Sequence, residues 1–296
     1  MIAISPRQLE VFVAIAADGS ARAAAQRLHL TQPAASMALS ELERHLGVAL
    51  FARENRRLRL NERGREMLPL AQEVLDRLQE IQRCGSSQPQ QLSGELRIGA
   101  SNTVGNYLVG ELLADFVRVH DRVAVRLRVD NTDTIVAAVR KHELDMGCVE
   151  GQVADADMDV RPWRHDALAV CARPDHPLAQ MQSLTSHDFA QAGWILREQG
   201  SATRAQTERA LAALPPGKTV LELGQIEAIK QAVIAGLGIA CLPEEALGDA
   251  VQTGRLVVLP TPFLNLRRRL SLVLSREKYH GALVEALLAS LQSQAQ

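Results

Sequence analysis

The stretch that decides the fold of the N-terminal part runs from residue 23 to residue 36 and reads AAAQRLHLTQPAAS. Its alanines allow close packing of a short helix, predicted over Ala21–Leu28, and Thr31 can cap the helix that follows. The two residues His29 and Leu30 leave room only for a very tight turn between these helices. Two helices joined in this way are typical of a helix-turn-helix, whose second helix enters the DNA major groove.

The flanking sequence completes a winged helix-turn-helix. Ser5, Pro6 and Gln8 have the pattern of a capped helix start, which predicts a first helix over Pro6–Ala17. Gly47 ends the third helix. Residues 49–60 then read as two short strands around a basic turn, which we interpret as a wing.

A long amphipathic helix is predicted from Glu62 to Arg83. Its apolar stripe consists of Met67, Leu70, Val74, Leu78 and Ile81. Because nothing nearby in the sequence would cover this stripe, we expect a second subunit to cover it, which predicts a homodimer. The polar run from Gly85 to Gln91 then reads as a linker.

Beyond the linker, strands alternate with helices in two series, which predicts a two-lobed, doubly wound α/β domain. The predicted strands are 96–100, 123–129, 146–149, 167–172, 193–196, 219–223, 239–242 and 270–274, and the helices are 107–119, 132–141, 204–214, 226–235 and 281–291. The predicted division is 1–61 for the DNA-binding domain, 62–92 for the linker helix and hinge, 93–164 with 266–296 for lobe I, and 165–265 for lobe II.

Composition and charge exclude several classes of protein. Of the 296 residues, 47% are hydrophobic and 23% charged, which is ordinary for a globular protein. The N-terminus shows no export signal and no apolar run is long enough for a membrane helix, so we expect a cytoplasmic protein. The four cysteines lie far apart, and we expect no metal site and no cofactor. Residues 1–66 hold ten arginines against seven acids, an excess of three positive charges in a chain of formal charge −1.

The predicted third helix presents a set of side chains suited to DNA. Gln32 can pair with adenine, Ser36 can donate or accept, and Pro33 and Met37 can touch thymine methyl groups. The predicted DNA-binding residues are Arg22, Thr31, Gln32, Pro33, Ser36, Met37 and Ser40, with Arg53, Arg56 and Arg57 of the wing reaching phosphates or a minor groove. From periodicity alone, a plain three-helix bundle with its third helix facing water fits equally well.

Residues 9–12, 23–36 and 42–51 together closely resemble the DNA-binding signature of the LysR-type transcription regulators. The resemblance extends along the chain, since that family also has a linker helix and a two-lobed domain like periplasmic solute-binding proteins. It implies binding to an interrupted palindrome in promoter DNA, a homotetramer, and RNA polymerase as a possible partner. One departure is Met37, because many members carry arginine after the serine, which leaves the base preference open.

Three segments follow predicted strands and open helices, where backbone N–H groups favour anions. The predicted effector-binding residues are Ala100, Ser101, Asn102, Thr103, Glu150, Arg197, Gly200, Ser201, Ala202, Thr203, Gln225 and Ile226. Taken singly, each segment also fits ordinary helix capping. The resemblance implies that together they hold a small carboxylate or inorganic oxyanion between the lobes.

Glu150 is expected to face the same cleft. A carboxylate there argues against a highly charged polyanion, unless Glu150 is protonated or paired with Arg197. The Val149-Glu150-Gly151 run and the helix from Glu227 to Lys230 are most similar to the branch of the family concerned with sulfur oxyanions and carbon fixation. We therefore expect a sulfur oxyanion or a small carboxylate as the effector.

Two other classes of protein compete with a regulator. The lobes alone would suit a transport-related solute-binding protein, but the arginine-rich N-terminal part and the lack of an export signal oppose it. An enzyme is not expected, because the sequence has no G-x-S-x-G elbow, no P-loop, no metal-spaced histidine pair and no G-x-G-x-x-G.

Overall fold

The computed structural model describes residues 3–54, 57–84 and 91–294, which divide into two compact units, Met1–Gln91 and Leu92–Gln296. The first unit begins with three helices, α1 (Pro6–Asp18), α2 (Ala21–Arg27) and α3 (Gln32–Leu46). Ser5 and Thr31 cap α1 and α3 as expected, and Ser20 caps α2; each accepts a hydrogen bond from a backbone N–H. The predicted helix ends differ from these by one residue.

The three helices enclose one small core. Phe12, Ile15 and Leu42 are completely buried in it, and the ring of Phe12 meets Phe51 edge to face with centroids 5.7 Å apart. The wing is an antiparallel pair of strands, β1 (Phe51–Glu54) and β2 (Arg57–Leu60). Helix α4 (Glu62–Cys84) then packs its first turns on the same core through the fully buried Ala71 and through Met67.

This packing corrects one expectation about α4. Met67, taken as part of an uncovered stripe, lies against the core of its own unit. Further along the helix, Leu70, Val74 and Ile81 are exposed. The stripe is therefore only partly uncovered, because the first turns of α4 pack on the three-helix core and the later turns do not.

The second unit is built on one continuous sheet. The strands of lobe I, as defined here, are β3 (Gly94–Ser101), β4 (Val123–Asp130) and β5 (Met146–Glu150), and those of lobe II are β7 (Gly193–Arg197), β8 (Lys218–Leu223) and β9 (Ile239–Pro243). Two long strands, β6 (Met158–Ala172) and β11 (Arg267–Ser275), connect the lobes, and the short β10 (Val257–Val258) pairs with β6. The order is β4-β3-β5-β11-β6-β9-β7-β8, parallel within each lobe and antiparallel around β6 and β11.

Helices cover the sheet on both lobes. Lobe I carries α5 (Asn102–Tyr107), α6 (Val109–Val119), α7 (Thr132–Arg140) and α11 (Ala282–Gln294), and lobe II carries α8 (Ala202–Leu211), α9 (Ile226–Ile234) and α10 (Glu244–Gln252). Two short 3₁₀ helices, Pro177–Gln180 and Ser186–Gln191, complete the described elements of lobe II. The predicted fold class, a winged helix-turn-helix followed by a linker helix and a two-lobed α/β domain, is confirmed.

Several predicted elements were wrong in extent. The strand expected over 167–172 starts at Met158, because β6 pairs with β11 through a polar run that includes Pro162 and carries no alternating apolar pattern. The helix expected over 107–119 begins at Val109, and the buried Leu108 joins it to a short helix, α5, that was not predicted. Helix α10 was not predicted. Among the described residues, no helix is both long and apolar enough to cross a membrane.

Candidate DNA-binding surface and effector site

The surface of α3 is exposed where the sequence predicts DNA contacts. Thr31, Gln32, Pro33, Met37 and Ser40 are all exposed, and Ser36 is half-buried. Met37 keeps 65% of its surface, which is unusual for a large apolar side chain. The opposite face is held by Ala35, Leu39 and Leu42, so the helix presents its polar face on a fixed support.

The predicted arginine contacts are only partly described. Arg22 is exposed at the start of α2, and Arg57 is exposed at the start of β2. The backbone of Arg53 belongs to β1, whereas Arg56 lies outside the described residues. Among the wing arginines predicted to contact DNA, the described residues therefore show only Arg57 as an exposed side chain.

The predicted effector residues of the first two segments meet at Glu150. Ser101 ends β3 and precedes α5, but its hydroxyl does not cap that helix; it donates to Glu150 Oε2 instead. Thr103 donates to Glu150 Oε1 over 3.1 Å, and Thr203 of lobe II donates to the same oxygen over 3.4 Å. Ser101, Thr103, Glu150 and Thr203 are all at most 1% exposed. Three hydroxyls from two lobes thus converge on one carboxylate.

A buried arginine completes this arrangement. Arg268 donates to Thr203 Oγ1 over 2.8 Å and to Thr103 Oγ1 over 3.0 Å, and its Nη1 lies 3.6 Å from Glu150 Oε1. Its Nε donates to Asp166 over 2.7 Å. We call Ser101, Thr103, Glu150, Asp166, Thr203 and Arg268 the Glu150 cluster. Its formal charge is −1, from two carboxylates and one guanidinium.

Sequence analysis missed two members of this cluster, Asp166 and Arg268. Both lie on the long strands β6 and β11, directly opposite each other, in the polar stretches that were not recognised as strand. The run Arg267-Arg268-Arg269 was the available clue. Because side chains alternate along a strand, only the middle arginine of such a run can share the face of Asp166.

Arg197 does not pair with Glu150, so that alternative is corrected. Its buried guanidinium makes two 2.8 Å hydrogen bonds to Glu198 instead. Its remaining nitrogen, Nη1, is buried without a hydrogen-bond partner among the described residues. The partner of Glu150 is Arg268, because this arginine lies on β11, one of the two long strands that connect the lobes.

The other predicted effector residues differ in their surroundings. Ala100 and Asn102 are buried beside Ser101, and Ser201 caps α8 through Arg204 N. The carbonyl of Gly200 accepts a hydrogen bond from Asp133 N of lobe I over 3.2 Å, and a side chain at Gly151 would come within 2.8 Å of Ala202. The third segment does not join the Glu150 cluster: Ile226 packs in the core of lobe II and Gln225 is exposed.

A second contact between the lobes lies at Tyr107 and Glu227. The Tyr107 hydroxyl donates to Glu227, which also accepts from Lys230 Nζ over 2.6 Å. Burial, followed by the Glu227 carboxylate, raises the pKa of Tyr107. Burial opposes ionisation of Glu227, but the hydrogen bonds from Lys230 and Tyr107 outweigh it and lower the pKa of this carboxyl. Both groups therefore keep the protonation states that this contact needs at neutral pH.

The cysteines described with side chains are not suited to redox chemistry. Cys148, Cys171 and Cys241 are buried and unbonded to one another. Burial raises the pKa of the Cys171 and Cys241 thiols to about 12, and it raises the pKa of Cys148 as well. Because the thiolate is the reactive form, these three residues lack the main property of a redox sensor.

Comparison with known families agrees with this fold. Residues 6–65 match the model of the bacterial regulatory helix-turn-helix proteins of the lysR family, and residues 89–296 match the LysR substrate binding domain. The protein belongs to the LysR family of transcription regulators. The predicted family, and its assignment as a regulator and not an enzyme, are confirmed.

Two curated relatives cover nearly the whole chain. The uncharacterized HTH-type transcriptional regulator YeiE of Escherichia coli is 38% identical over 277 residues, 93% of each chain. The RuBisCO operon transcriptional regulator of Allochromatium vinosum is 33% identical over 278 residues, 93% of this chain and 91% of that one. The predicted similarity to regulators of carbon fixation is thus confirmed.

Two solved structures show the same architecture. A full-length OxyR variant from Pseudomonas aeruginosa superimposes with a TM-score of 0.76 at 26% identity, covering 99% of this chain and 96% of that one. The regulatory domain of Synechocystis CcmR, solved in complex with 2-PG, has a TM-score of 0.63 at 27% identity and covers 69% of this chain and 98% of its own.

Proposed function

We propose that this regulator binds promoter DNA through α3 and the wing, and that a small, singly charged oxyanion or monocarboxylate held between the lobes modulates this binding. The observation that carries the proposal is the convergence of three hydroxyls and one guanidinium on a single buried oxygen-bearing group, the Glu150 carboxylate. Such donors suit any small anion with two or three oxygens. The CcmR regulatory domain, solved in complex with 2-PG, supports a small anion as the class of ligand but not the single charge, since 2-PG carries both a phosphate and a carboxylate.

The charge of the Glu150 cluster sets the proposed selectivity. A monoanion entering the cluster would change its formal charge from −1 to −2. A dianion would change it to −3, in a region shielded from water. Charge repulsion at short distance is large where the effective dielectric constant is low. Among sulfur oxyanions and carboxylates, we therefore expect singly charged species to bind in preference to sulfate.

The proposed switch is a change in the separation of the lobes. The hydroxyls of Ser101, Thr103 and Thr203 are buried between the lobes, so an effector reaches them only in a more open form. An effector that binds one lobe arrangement better than the other shifts the population towards it. We propose that this shift alters how the DNA-binding units are presented.

We also propose that the protein acts as a dimer through α4, and as a tetramer on DNA that carries an interrupted palindrome. The exposed apolar residues Leu70, Val74 and Ile81 support pairing, since helices cover such residues by packing against a second helix. RNA polymerase is the further partner proposed for the DNA-bound form.

Thermal stabilisation of the purified protein tests the effector. Sulfite, sulfate, thiosulfate, phosphate, acetate and other small carboxylates are each added at matched ionic strength, and the melting temperature is recorded. A ligand of the folded state raises it. The expected result is a rise with a singly charged anion that Ser101→Ala and Thr203→Ala abolish.

Two further variants sharpen the test. Glu150→Gln keeps the shape of the side chain and removes its charge, so it should improve binding of sulfate relative to monoanions. Glu143→Gln, at an exposed position of lobe I, is the matched control and should leave the ranking unchanged. No shift with any anion, for the wild type and for Glu150→Gln, would rule out an anion site in this cleft.

A further inference from the structure

A cavity in the second unit is lined by arginines, one of which, Arg268, also belongs to the Glu150 cluster. It has a volume of about 710 Å³, within the range of small-molecule sites. Both lobes and both crossover strands contribute to its lining: Gly151, Gln152, Val153, Ala154, Val160, His165, Gln206, Arg209, Asn265, Arg267, Arg268, Arg269 and Ser271. We call it the arginine cavity.

The geometry of the crossover strands separates this cavity from the Glu150 cluster. Arg268 is paired with Asp166 across β11 and β6, and Arg269 is paired with His165. Opposite residues of an antiparallel pair share a face, and successive residues alternate. Asp166 and the guanidinium of Arg268 therefore lie on the face of the Glu150 cluster, whereas His165, Arg267 and Arg269 lie on the opposite face; Arg268 contributes to the lining of both.

The arginines that face the cavity have no counter-charge among the residues that the structure describes. No ion pair involves Arg209, Arg267 or Arg269 among the described residues, and no carboxylate is present in the described lining. Arg209 donates one hydrogen bond, from Nε to Ala205 O, which leaves its other nitrogens available. Three arginines that share a concave surface without a counter-charge repel one another unless an anion binds there.

The remaining lining residues indicate the kind of anion. Gln152, Gln206 and Asn265 supply amides, and apart from the His165 imidazole no aromatic ring is present in the described lining on which a base could stack. Arginine binds phosphate and carboxylate groups in pairs of parallel hydrogen bonds. We propose that the arginine cavity binds a small, multiply charged, non-aromatic anion, with at least two phosphate or carboxylate groups, at a site distinct from the inter-lobe effector site.

The two sites then differ in the charge that they accept. The Glu150 cluster carries a formal charge of −1 and excludes polyanions, whereas Arg209, Arg267 and Arg269 give the cavity three uncompensated positive charges. Because β6, β11, α8 and the segment after β5 all line the cavity, a ligand there touches both lobes. It is therefore placed to bias the same lobe arrangement.

Isothermal titration calorimetry on the full chain tests the proposal with inorganic pyrophosphate, citrate and acetate as probes at constant ionic strength. We expect saturable binding of pyrophosphate or citrate, one per chain, and none of acetate at this site. Pyrophosphate alone indicates a phosphate-bearing ligand, and citrate alone a polycarboxylate. The double variant Arg267→Ser, Arg269→Ser should weaken this binding at least about tenfold, which corresponds to about 1.4 kcal/mol.

The controls separate this site from the effector cleft and from simple surface charge. Arg126→Ser removes an exposed arginine of β4 that pairs with Glu95, and it should leave pyrophosphate and citrate binding unchanged. Ser101→Ala should also leave it unchanged. Circular dichroism and melting temperature without anion check that the exposed positions 267 and 269 tolerate serine.

Three outcomes would overturn the proposal. One is the absence of saturable pyrophosphate and citrate binding. Another is binding that survives the double variant or is lost in Ser101→Ala, which would place the anion in the cleft. The third is a double variant that binds these anions normally but loses affinity for duplex DNA, which would make this face a DNA contact.

Discussion

The Glu150 carboxylate and the Arg268 guanidinium lie 3.6 Å apart with both side chains only 2% exposed. Removing Arg268 alone leaves two buried carboxylates without a counter-charge, whereas removing Glu150 leaves Arg268 paired with Asp166. Arg268→Ala would leave Glu150 and Asp166 facing each other, and we expect a loss of about 3–5 kcal/mol in the free energy of unfolding. Chemical denaturation measures it.

Arg268→Lys and Arg140→Ala serve as comparisons for that variant. Lysine restores the charge but has three donors on one nitrogen, so it cannot reach Asp166, Thr103 and Thr203 together and should recover only part of the loss. Arg140, itself more than half exposed, pairs with the largely buried Asp155, and its removal should cost less than that of Arg268, about 1 kcal/mol. Equal losses for Arg268→Ala and Arg140→Ala would contradict a structural role for the cluster.

A substitution at Gly64 should loosen the attachment of α4 to the wing. An added Cβ would lie 2.1 Å from the carbonyl oxygen of Leu50, which also accepts a hydrogen bond from Asn61 N. Backbone cannot move aside as a side-chain tip can, so Gly64→Ala should destabilise the first unit by about 1–3 kcal/mol.

Calorimetry of Gly64→Ala and of Gly248→Ala measures how the stability changes at two helical glycines, one with close neighbours and one without. Nothing lies within 4 Å of a Cβ at Gly248, in helix α10, so alanine there should stabilise by about 0.5–1 kcal/mol. A Gly64→Ala variant as stable as the wild type would contradict the close contact between α4 and the backbone of Leu50.

The buried ion pair at Asp145 should make stability depend on pH in the acid range. Burial opposes ionisation of Asp145, but Lys278 and Arg97 outweigh it and hold the pKa of this carboxyl below its ordinary value near 4. The folded state thus binds this proton less readily than the unfolded state. The resulting stabilisation is complete at pH values above the ordinary pKa of an aspartate in the unfolded chain. It is lost as the pH falls through the lower pKa of the folded state.

Urea denaturation of the wild type and of Asp145→Asn between pH 7 and pH 3 measures the contribution of this ion pair to the free energy of unfolding. We expect a loss of about 3 kcal/mol at pH 7 that shrinks below about pH 4. Asp121→Asn, an exposed aspartate of lobe I, is the control and should behave as the wild type. A difference between Asp145→Asn and the wild type that did not change down to pH 3 would contradict the pairing.

The three buried cysteines should resist alkylation in the folded protein. Their thiols are protonated at neutral pH, and burial denies access to the reagent. Iodoacetamide followed by mass spectrometry should leave Cys148, Cys171 and Cys241 unmodified, and should modify all three in denaturant. Rapid labelling of any of them without denaturant would reopen the case for a redox sensor.

Base recognition should depend on Gln32. The Nε2 group of this exposed glutamine, at the start of α3, donates a hydrogen bond to Ser36 Oγ over 3.3 Å, and a base edge can take the place of that exposed contact. Gln32→Ala should weaken promoter binding by about 1–3 kcal/mol while binding to random duplex stays unchanged. Gln252→Ala on α10 is the matched control, and fluorescence anisotropy with both duplexes is the measurement. An equal loss on both duplexes would mean that Gln32 contacts the DNA backbone only.

The sequence predicted most helices to within a few residues where caps and periodicity were local. Ser5, Ser20, Thr31 and Gly47 fixed the ends of the N-terminal helices, because a cap acts on the three or four residues beside it. The polar half of β6 was missed for the opposite reason. Its residues are strand because β11 pairs with them from more than 100 positions away in the chain.

The sequence by itself determined the family, the alternation of strands and helices in two lobes, and the polar segments after β3 and β7 as candidate anion contacts. Only the tertiary structure decided that Glu150 takes the centre of these contacts, that its partner is Arg268 and not Arg197, and that Arg267 and Arg269 face a separate cavity. Helix caps and apolar periodicities depend on residues that are close together in the sequence. The partner of a buried charge is set by strand register between distant segments, and no local pattern records that register.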